Sequence, residues 1–180
     1  MRTSSVSPRG AERTFDADEI IVTKTDLQGR ITYGNDVFLR MSALTEEDAL
    51  GQPHNIIRHP DMPRAVFKLL WDTIKEGREI FAYVLNLAAD GTQYWVFAHV
   101  TPSINNAGQT VGYHSTRRKP DPGTIVTVRT LYDQIRAAER RQTAAPAALD
   151  AGYDTLSATL AERGQTYDEF VWDLTNGSHP

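Results

Sequence analysis

Residues 80–117 have the sequence IFAYVLNLAADGTQYWVFAHVTPSINNAGQTVGYHSTR. Three strand-like runs, Ile80–Leu87, Gln93–Thr101 and Thr110–Arg117, are separated by Asp90-Gly91 and by a polar turn at residues 105–108. An Asp-Gly pair between apolar runs is a strong hairpin signal, because both residues accept the positive φ of a primed turn. This stretch therefore predicts an antiparallel meander of three strands.

The preceding sequence adds a hairpin and a long helix to this meander. Glu19–Thr25 and Arg30–Gly34 have strand-like composition and flank turn residues. Helical spacing of apolar residues predicts a helix over about Met62–Glu76, opened by Asp61 as the N-cap and closed by Gly77. Strands, short helices, a long helix and three strands define an α+β domain, whose sheet closes by pairing the first hairpin with the late strands.

Composition limits the classes of function. The 180 residues are 40% hydrophobic and 23% charged, with a formal net charge of -4 and no cysteine. The low basic content argues against nucleic-acid and anionic membrane partners, and the missing cysteine excludes a cysteinyl cofactor adduct. No apolar run approaches the roughly 20 residues of a membrane span. We expect a cytoplasmic protein that is not an enzyme, since no nucleophile elbow, metal-ligand set or phosphate loop is present.

Shifts in composition divide the chain into four parts. We expect residues 1–18 to be a disordered leader, because Ser, Pro, Gly and balanced charges dominate there. Residues 19–119 form the predicted domain, residues 120–127 a linker and residues 128–180 a helical extension. Three helices are predicted in the extension: Val128–Arg141, Tyr153–Arg163 and Tyr167–Leu174.

The stretch His54–Pro63 holds two histidines, an arginine and an aspartate immediately before the long helix. Pro53, Pro60 and Pro63 stiffen this loop, and Arg58 could pair with Asp61 or meet an anion near the helix N-terminus. The alternative is a capped connector without a ligand, since polar loops usually satisfy their own hydrogen bonds.

From about Thr25 to Lys119 the sequence closely resembles the PAS domain of the aerotaxis-receptor family. The resemblance implies a PAS fold, a five-stranded antiparallel sheet with short helices on one face, followed here by the helical extension. It also implies that the domain holds FAD non-covalently and reports cellular redox state to the chemotaxis machinery. The matching motifs are Thr25–Tyr33, His54–Pro63, Leu70–Gly77, Asp90-Gly91, Tyr94–Val96 and Val111–Tyr113.

The resemblance also assigns candidate flavin-binding residues. Arg58, His59 and Asp61 occupy positions tied to flavin binding in the family, and Trp71 and Trp95 lie in two of the matching motifs.

Two strand residues complete the predicted site. Asn86 resembles the strand asparagine that bonds the flavin ring edge in flavin-binding PAS and LOV domains; alternatively, it caps the strand end. Because strand alternation puts Gly112, His114 and Thr116 on one face, His114 could touch the cofactor and make its redox step pH-sensitive. The alternative for His114 is a histidine at the core edge, bonded to backbone.

The chain also departs from the family pattern. Leu85 and Leu87 replace basic residues, which makes their strand apolar on both faces. Such a strand needs a cover on its second side, either the tail helices or a second subunit, and we expect a homodimer. Ile80 replaces the family tryptophan that follows the long helix.

The leading hypothesis is an FAD-binding redox or oxygen sensor that signals to a chemoreceptor or kinase-type partner. The alternatives are a PAS oxygen sensor that binds haem b through one histidine, and a cofactor-free interaction or dimerisation module. The histidine candidates for haem are His54, His59, His99 and His114.

Overall fold

The computed structural model describes residues 6–177 and contains one five-stranded sheet and six α-helices. Neighbouring strands are antiparallel throughout, in the order Ile31–Gly34, Ile21–Thr25, Thr110–Arg118, Gln93–Ile104 and Ile80–Leu87. The first hairpin therefore pairs with the last strand, as the sequence predicts. The elements are β1 (Ile21–Thr25), β2 (Ile31–Gly34), α1 (Asp36–Ser42), α2 (Glu46–Ala49), a 3₁₀ turn (His54–Ile57), α3 (Arg64–Lys75), β3 (Ile80–Leu87), β4 (Gln93–Ile104), β5 (Thr110–Arg118), α4 (Pro122–Arg140), α5 (Ala145–Arg163) and α6 (Tyr167–Asn176).

Strand register defines two faces of the sheet. The pairs Asn86↔Tyr94 and Thr23↔Ser115 lie on the inner face, toward α3. The intervening pair Leu85↔Trp95 lies on the opposite, outer face. Both faces are buried along β3, where every residue except Phe81 is less than 9% exposed.

The tail helices cover the outer face. The Tyr132 hydroxyl of α4 donates to the Tyr83 carbonyl of β3 at 2.7 Å, and the Tyr83 hydroxyl bonds the Thr175 hydroxyl of α6 at 3.2 Å. As a result, Leu85 and Leu87 are only 7% and 8% exposed. Of the two predicted candidates for covering this strand, the tail helices of the same chain do so.

Two of the predicted tail boundaries are wrong. The first tail helix begins at Pro122 instead of Val128, because the Asp121 side chain accepts from the Thr124 N–H and proline is tolerated in a first helical turn. Most of the predicted linker 120–127 is therefore helical. The second helix likewise begins near Pro146, at Ala145 instead of Tyr153.

Residues 6–18 are ordered, so the predicted disordered leader is wrong for this part. The Arg9 and Arg13 N–H groups donate to the Gly91 and Gln93 carbonyls at 2.9 and 2.7 Å, and Gln93 N–H donates back to Ala11. Phe15 is 4% exposed within the core. Backbone pairing and one buried ring thus offset the polar composition. Residues 1–5 lie outside the described residues.

The long helix ends at Lys75, and Gly77 follows its C-cap residue with a φ of +80°, as the predicted stop requires. Asp61 does not cap its start. Pro63 occupies the N-cap position and provides no side-chain bond. Instead, Glu139 of α4 accepts a hydrogen bond from the Ala65 N–H at 3.0 Å. A residue remote in sequence therefore satisfies this helix end.

Candidate ligand cavity

A cavity lies between the inner face of the sheet, α3 and the loop before it. Its volume is about 180 Å³, which is smaller than the about 300–1,000 Å³ of typical small-molecule sites. Aliphatic side chains form much of its wall. They include Val66, Leu70 and Ile74 of α3 and Val84, Ala98 and Val100 of the sheet.

Three of the polar side chains in this lining are buried and carry an atom without a hydrogen-bond partner in the described part of the chain. Asn86, Ser115 and Arg117 are 3%, 6% and 5% exposed. Asn86 Nδ2, Ser115 Oγ and Arg117 Nη1 have no hydrogen-bond partner among the residues that the structure describes. Since a buried donor without a partner is costly, these atoms indicate a cavity suited to an occupant with acceptor oxygens.

Arg117 is held by neutral groups. Its Nη2 atom donates to Thr23 Oγ1 at 3.0 Å and lies 2.7 Å from His54 Nε2. Because a guanidinium can only donate, His54 Nε2 must accept, which assigns the neutral Nδ1–H tautomer. Within residues 6–177, Arg117 forms no ion pair.

Burial shifts the proton affinities of this pair. Desolvation lowers the pKa of Arg117 to about 10. Desolvation, together with the Arg117 charge, lowers the pKa of His54 to about 3. At neutral pH the cavity therefore contains one buried positive charge beside a neutral imidazole.

Arg58 also lines the cavity, as predicted. Its guanidinium lies 4.3 Å above the Phe67 ring, and its Nη2 atom donates to the Met62 carbonyl at 3.1 Å. An isolated β-bridge joins the backbones of Arg58 and Asn86. Burial is the main cause that lowers the Arg58 pKa. This bridge ties the loop to β3 and brings two of the predicted residues together.

Trp71 lines the mouth of the cavity and contacts Tyr113 edge-on at 5.6 Å. Gly29 is required opposite this ring, because a Cβ there would lie 2.6 Å from Trp71 Cη2 and because its φ is +76°. The turn between β1 and β2 thus positions Trp71.

Three predicted site residues do not line the cavity. The His59 ring is buried, and its Nδ1 atom accepts from the Asp61 N–H at 3.0 Å. The Asp61 carboxylate points to α4, where it pairs with Arg136. Trp95 lies on the outer face, with its ring centroid 6.0 Å from that of Tyr132. The reasons are the turn of the loop for the first two and strand alternation for Trp95.

The remaining strand predictions divide between the two faces. Asn86 does not cap the strand end through Nδ2, since that atom has no partner among the described residues. His114 borders the cavity, but alternation directs its side chain to the outer face, opposite to Ser115 and Arg117. His99 also lies outside, stacked on Phe81 at 4.1 Å.

Sequence reasoning missed Ser115 and Arg117. The alternation that groups Gly112, His114 and Thr116 also groups the intervening residues, and Tyr113, Ser115 and Arg117 form the inner row. Strand alternation separates these two rows of residues, but the sequence does not indicate which row faces inward.

The described part of the chain contains no group of three or more His, Asp or Glu side chains placed to hold a metal ion. Among these residues, no helix combines the length and the apolar character required to span a bilayer.

Comparison with known proteins agrees with the fold. Residues 31–117 match the PAS fold family. The chain is 39% identical over 120 residues to the aerotaxis receptor of Escherichia coli strain K12, covering 67% of this chain and 24% of the receptor. It therefore contains a PAS domain, and the resemblance to the aerotaxis-receptor PAS region is confirmed. The chain spans only about a quarter of that receptor's length.

Other similar proteins include a regulatory protein and a light-oxygen-voltage domain. The nitrogen fixation regulatory protein of Klebsiella pneumoniae is 26% identical over 99 residues, which cover 55% of this chain and 20% of the regulator. A light-oxygen-voltage domain studied with a flavin analogue superposes with a TM-score of 0.57 at 15% identity, over 64% of this chain and 87% of that one. At this identity the superposition shows the shared fold.

Proposed function

We propose that the cavity binds a flavin non-covalently, specifically FAD, and that the domain reports redox or oxygen state to a signalling partner. The observation that carries this proposal is the set of unpartnered donors on Asn86, Ser115 and Arg117 within apolar walls. The identity to a PAS region of an aerotaxis receptor supports it independently.

The residues of the cavity fit the chemistry of a flavin ring. The ring is planar and largely apolar, so it suits walls formed by residues such as Val66, Leu70 and Val84. Its edge carries carbonyl oxygens, which suit the free donors of Asn86, Ser115 and Arg117. When bound, a flavin supplies reversible electron transfer.

The role of this chain is to orient the ring and to control its electrostatic surroundings. Asn86 and Ser115 donate to acceptor atoms, and Arg117 keeps a positive charge beside them in a site largely removed from water. Electron density added at the ring edge would strengthen these hydrogen bonds. Redox state is thereby linked to the positions of β3 and β5.

The alternatives gain less support. Haem needs a histidine nitrogen facing the cavity, yet His54 Nε2 is engaged by Arg117, and strand alternation directs His99 and His114 outward. His59 does not line the cavity. A cofactor-free module would leave a buried guanidinium nitrogen without an acceptor.

The wider assignment completes the proposal. We place the protein in the cytoplasm as a non-enzymatic homodimer that acts on a chemoreceptor or kinase-type partner in a taxis-like pathway. Light scattering at several protein concentrations tests the dimer, and a monomeric mass throughout would contradict it.

An absorbance spectrum of the purified protein tests the proposed ligand. We expect oxidised-flavin bands that bleach on reduction, or their appearance after FAD is added and excess ligand removed. Riboflavin, FMN and FAD titrations then determine which flavin is preferred. The Asn86→Ala variant should bind about tenfold more weakly. The control is Arg40→Gln, which removes an exposed ion pair with Glu19.

A colourless, folded protein that takes up no flavin would contradict the proposal. A Soret band in place of flavin bands would establish the haem alternative.

A further inference from the structure

The last turns of α4 meet the loop that walls the cavity. Arg136 pairs with the Asp61 carboxylate and, at 3.1 Å, with Asp133 of its own helix. Arg140 lies 3.7 Å from the same Asp61 carboxylate. The Arg136 side chain is only 15% exposed and the Asp61 side chain 47% exposed, so solvent screens this contact only in part.

A second contact lies one turn further along α4. Glu139 is 8% exposed and accepts from the Ala65 N–H, a free donor at the start of α3. The fit is close on the α5 side as well. A Cβ at Gly152 would lie 2.6 Å from Glu139 Oε1, so glycine leaves room for this carboxylate in its observed position. Helices α3, α4 and α5 therefore converge on this carboxylate.

The loop gripped in this way is also part of the cavity wall. Between the two contacts lies Met62, which lines the cavity, accepts from Arg58 Nη2 through its carbonyl and receives the Leu85 N–H at its Sδ atom. Val66, one residue beyond Ala65, lines the cavity too. Movement of the loop would therefore move Arg58 and the apolar wall together.

We propose that Arg136 and Glu139 are positioning residues, an α4 latch that holds residues 58–66 in place and couples ligand affinity to the docking of α4 and α5. The ligand in this statement rests on the proposed function, whereas the grip on the loop does not. Because coupling is reciprocal, a ligand in the cavity must in turn stabilise the docked latch.

The first test measures FAD affinity. We expect Arg136→Gln to raise the Kd for FAD about tenfold, within the usual range for coupled sites. Glu139→Leu should act similarly, whereas Glu139→Gln retains the acceptor oxygen for Ala65 and should bind within about twofold of the unmodified chain. The matched control is Arg129→Gln, which removes the ion pair with Glu12 about two turns before Arg136 on α4.

The second test uses hydrogen exchange and works without ligand. In Arg136→Gln, amides of residues 61–66 should exchange faster than in the unmodified protein, while strands β3 and β4 remain protected. Added FAD should slow exchange in residues 136–152 of the unmodified protein and not of the variant. Asp61→Asn provides a second variant that reaches the same contact from the loop side.

The outcomes separate the two proposals. Unchanged exchange in residues 61–66 in both variants would overturn the latch, whether or not flavin binds. Flavin binding with equal Kd in Arg136→Gln and Arg129→Gln would overturn the coupling and leave the proposed function intact. If no flavin binds but exchange in the loop rises, the grip is supported and the flavin assignment fails.

Discussion

The two faces of the sheet differ in how their buried polar groups are hydrogen-bonded. On the outer face, the Tyr132 hydroxyl and the Tyr83 carbonyl satisfy each other. On the inner face, donors of Asn86, Ser115 and Arg117 have no partner among the described residues. The outer face is thus covered by the chain's own helices, whereas the inner face keeps donors that a polar ligand would satisfy.

The difference in charge makes the contrast sharper. Trp95 Nε1 is also buried without a partner on the outer side, but an indole is neutral. Arg117 is a cation that donates to Thr23 and His54, neither of which carries a negative charge. The cost of burying an unpaired charge is larger than that of burying a neutral donor. Ligand binding should therefore depend most on Arg117.

Replacing Arg117 should have the largest effect. We expect Arg117→Met to weaken flavin binding about 100-fold, or roughly 3 kcal/mol, since a buried charge-assisted hydrogen bond is lost. The ligand-free protein should be at least as stable as before, because a desolvated charge is removed. Flavin titration and urea unfolding measure the two quantities.

The diagnostic result for Arg117→Met is a loss of flavin affinity without a loss in the free energy of unfolding. If the variant loses both in proportion, Arg117 supports the fold alone and the contrast between the two faces fails. Arg117→Lys keeps the charge and should recover part of the affinity.

His54 provides the next largest effect, through pH. Its pKa is about 3 in the folded protein, below its usual 6.5, because of desolvation and the Arg117 charge. The unfolded chain therefore binds more protons between these values, so stability is complete above pH 6.5 and falls as the pH falls toward 3. Between pH 7.5 and 5 we expect a loss of about 2 kcal/mol in the free energy of unfolding.

The matched variant is His54→Gln, which keeps an acceptor for Arg117 but does not titrate. Urea unfolding at both pH values should show a smaller loss for this variant, by about the same 2 kcal/mol. Equal pH dependence in the two proteins would show that His54 is not buried beside a cation.

Local signals made much of the fold predictable. The turn at Asp90-Gly91 and the helix end at Gly77 depend on backbone conformations that few residues adopt, and both are where the sequence predicts them. Asn86 and Arg58 line the cavity, and their role in binding a ligand stays a prediction. Each of these features depends on residues that are close in sequence or on a motif whose spacing is fixed.

The misplaced site residues depend on long-range geometry. Asp61 follows Arg58 closely in sequence, but its partner Arg136 lies 75 residues further along the chain. Trp95 differs from inward-facing Tyr94 by a single step of alternation. In a strand that is apolar on both faces, hydrophobicity cannot indicate which side faces the cavity.

A substitution on the outer face should change the free energy of unfolding and leave flavin affinity unchanged. Tyr132→Phe removes the buried bond to the Tyr83 carbonyl, and we expect the free energy of unfolding to fall by about 1 kcal/mol. The Kd for flavin should stay within about twofold, because Tyr132 does not line the cavity. A large loss of affinity with unchanged stability would contradict the separation of the two faces.

The smallest effect is predicted for a tryptophan on the outer face, with its inner counterpart as the comparison. Trp71→Leu should raise the flavin Kd about fivefold, since a ring lining the mouth is lost. Trp95→Phe should change it less than about twofold, because that ring packs against Tyr132 across the sheet. Flavin titrations of both variants, with tryptophan fluorescence to follow occupancy, measure the difference. Equal loss in the two variants would mean that the ligand reaches through the sheet or that the faces are reversed. Either result would remove the basis for assigning Trp71, and not Trp95, to the site.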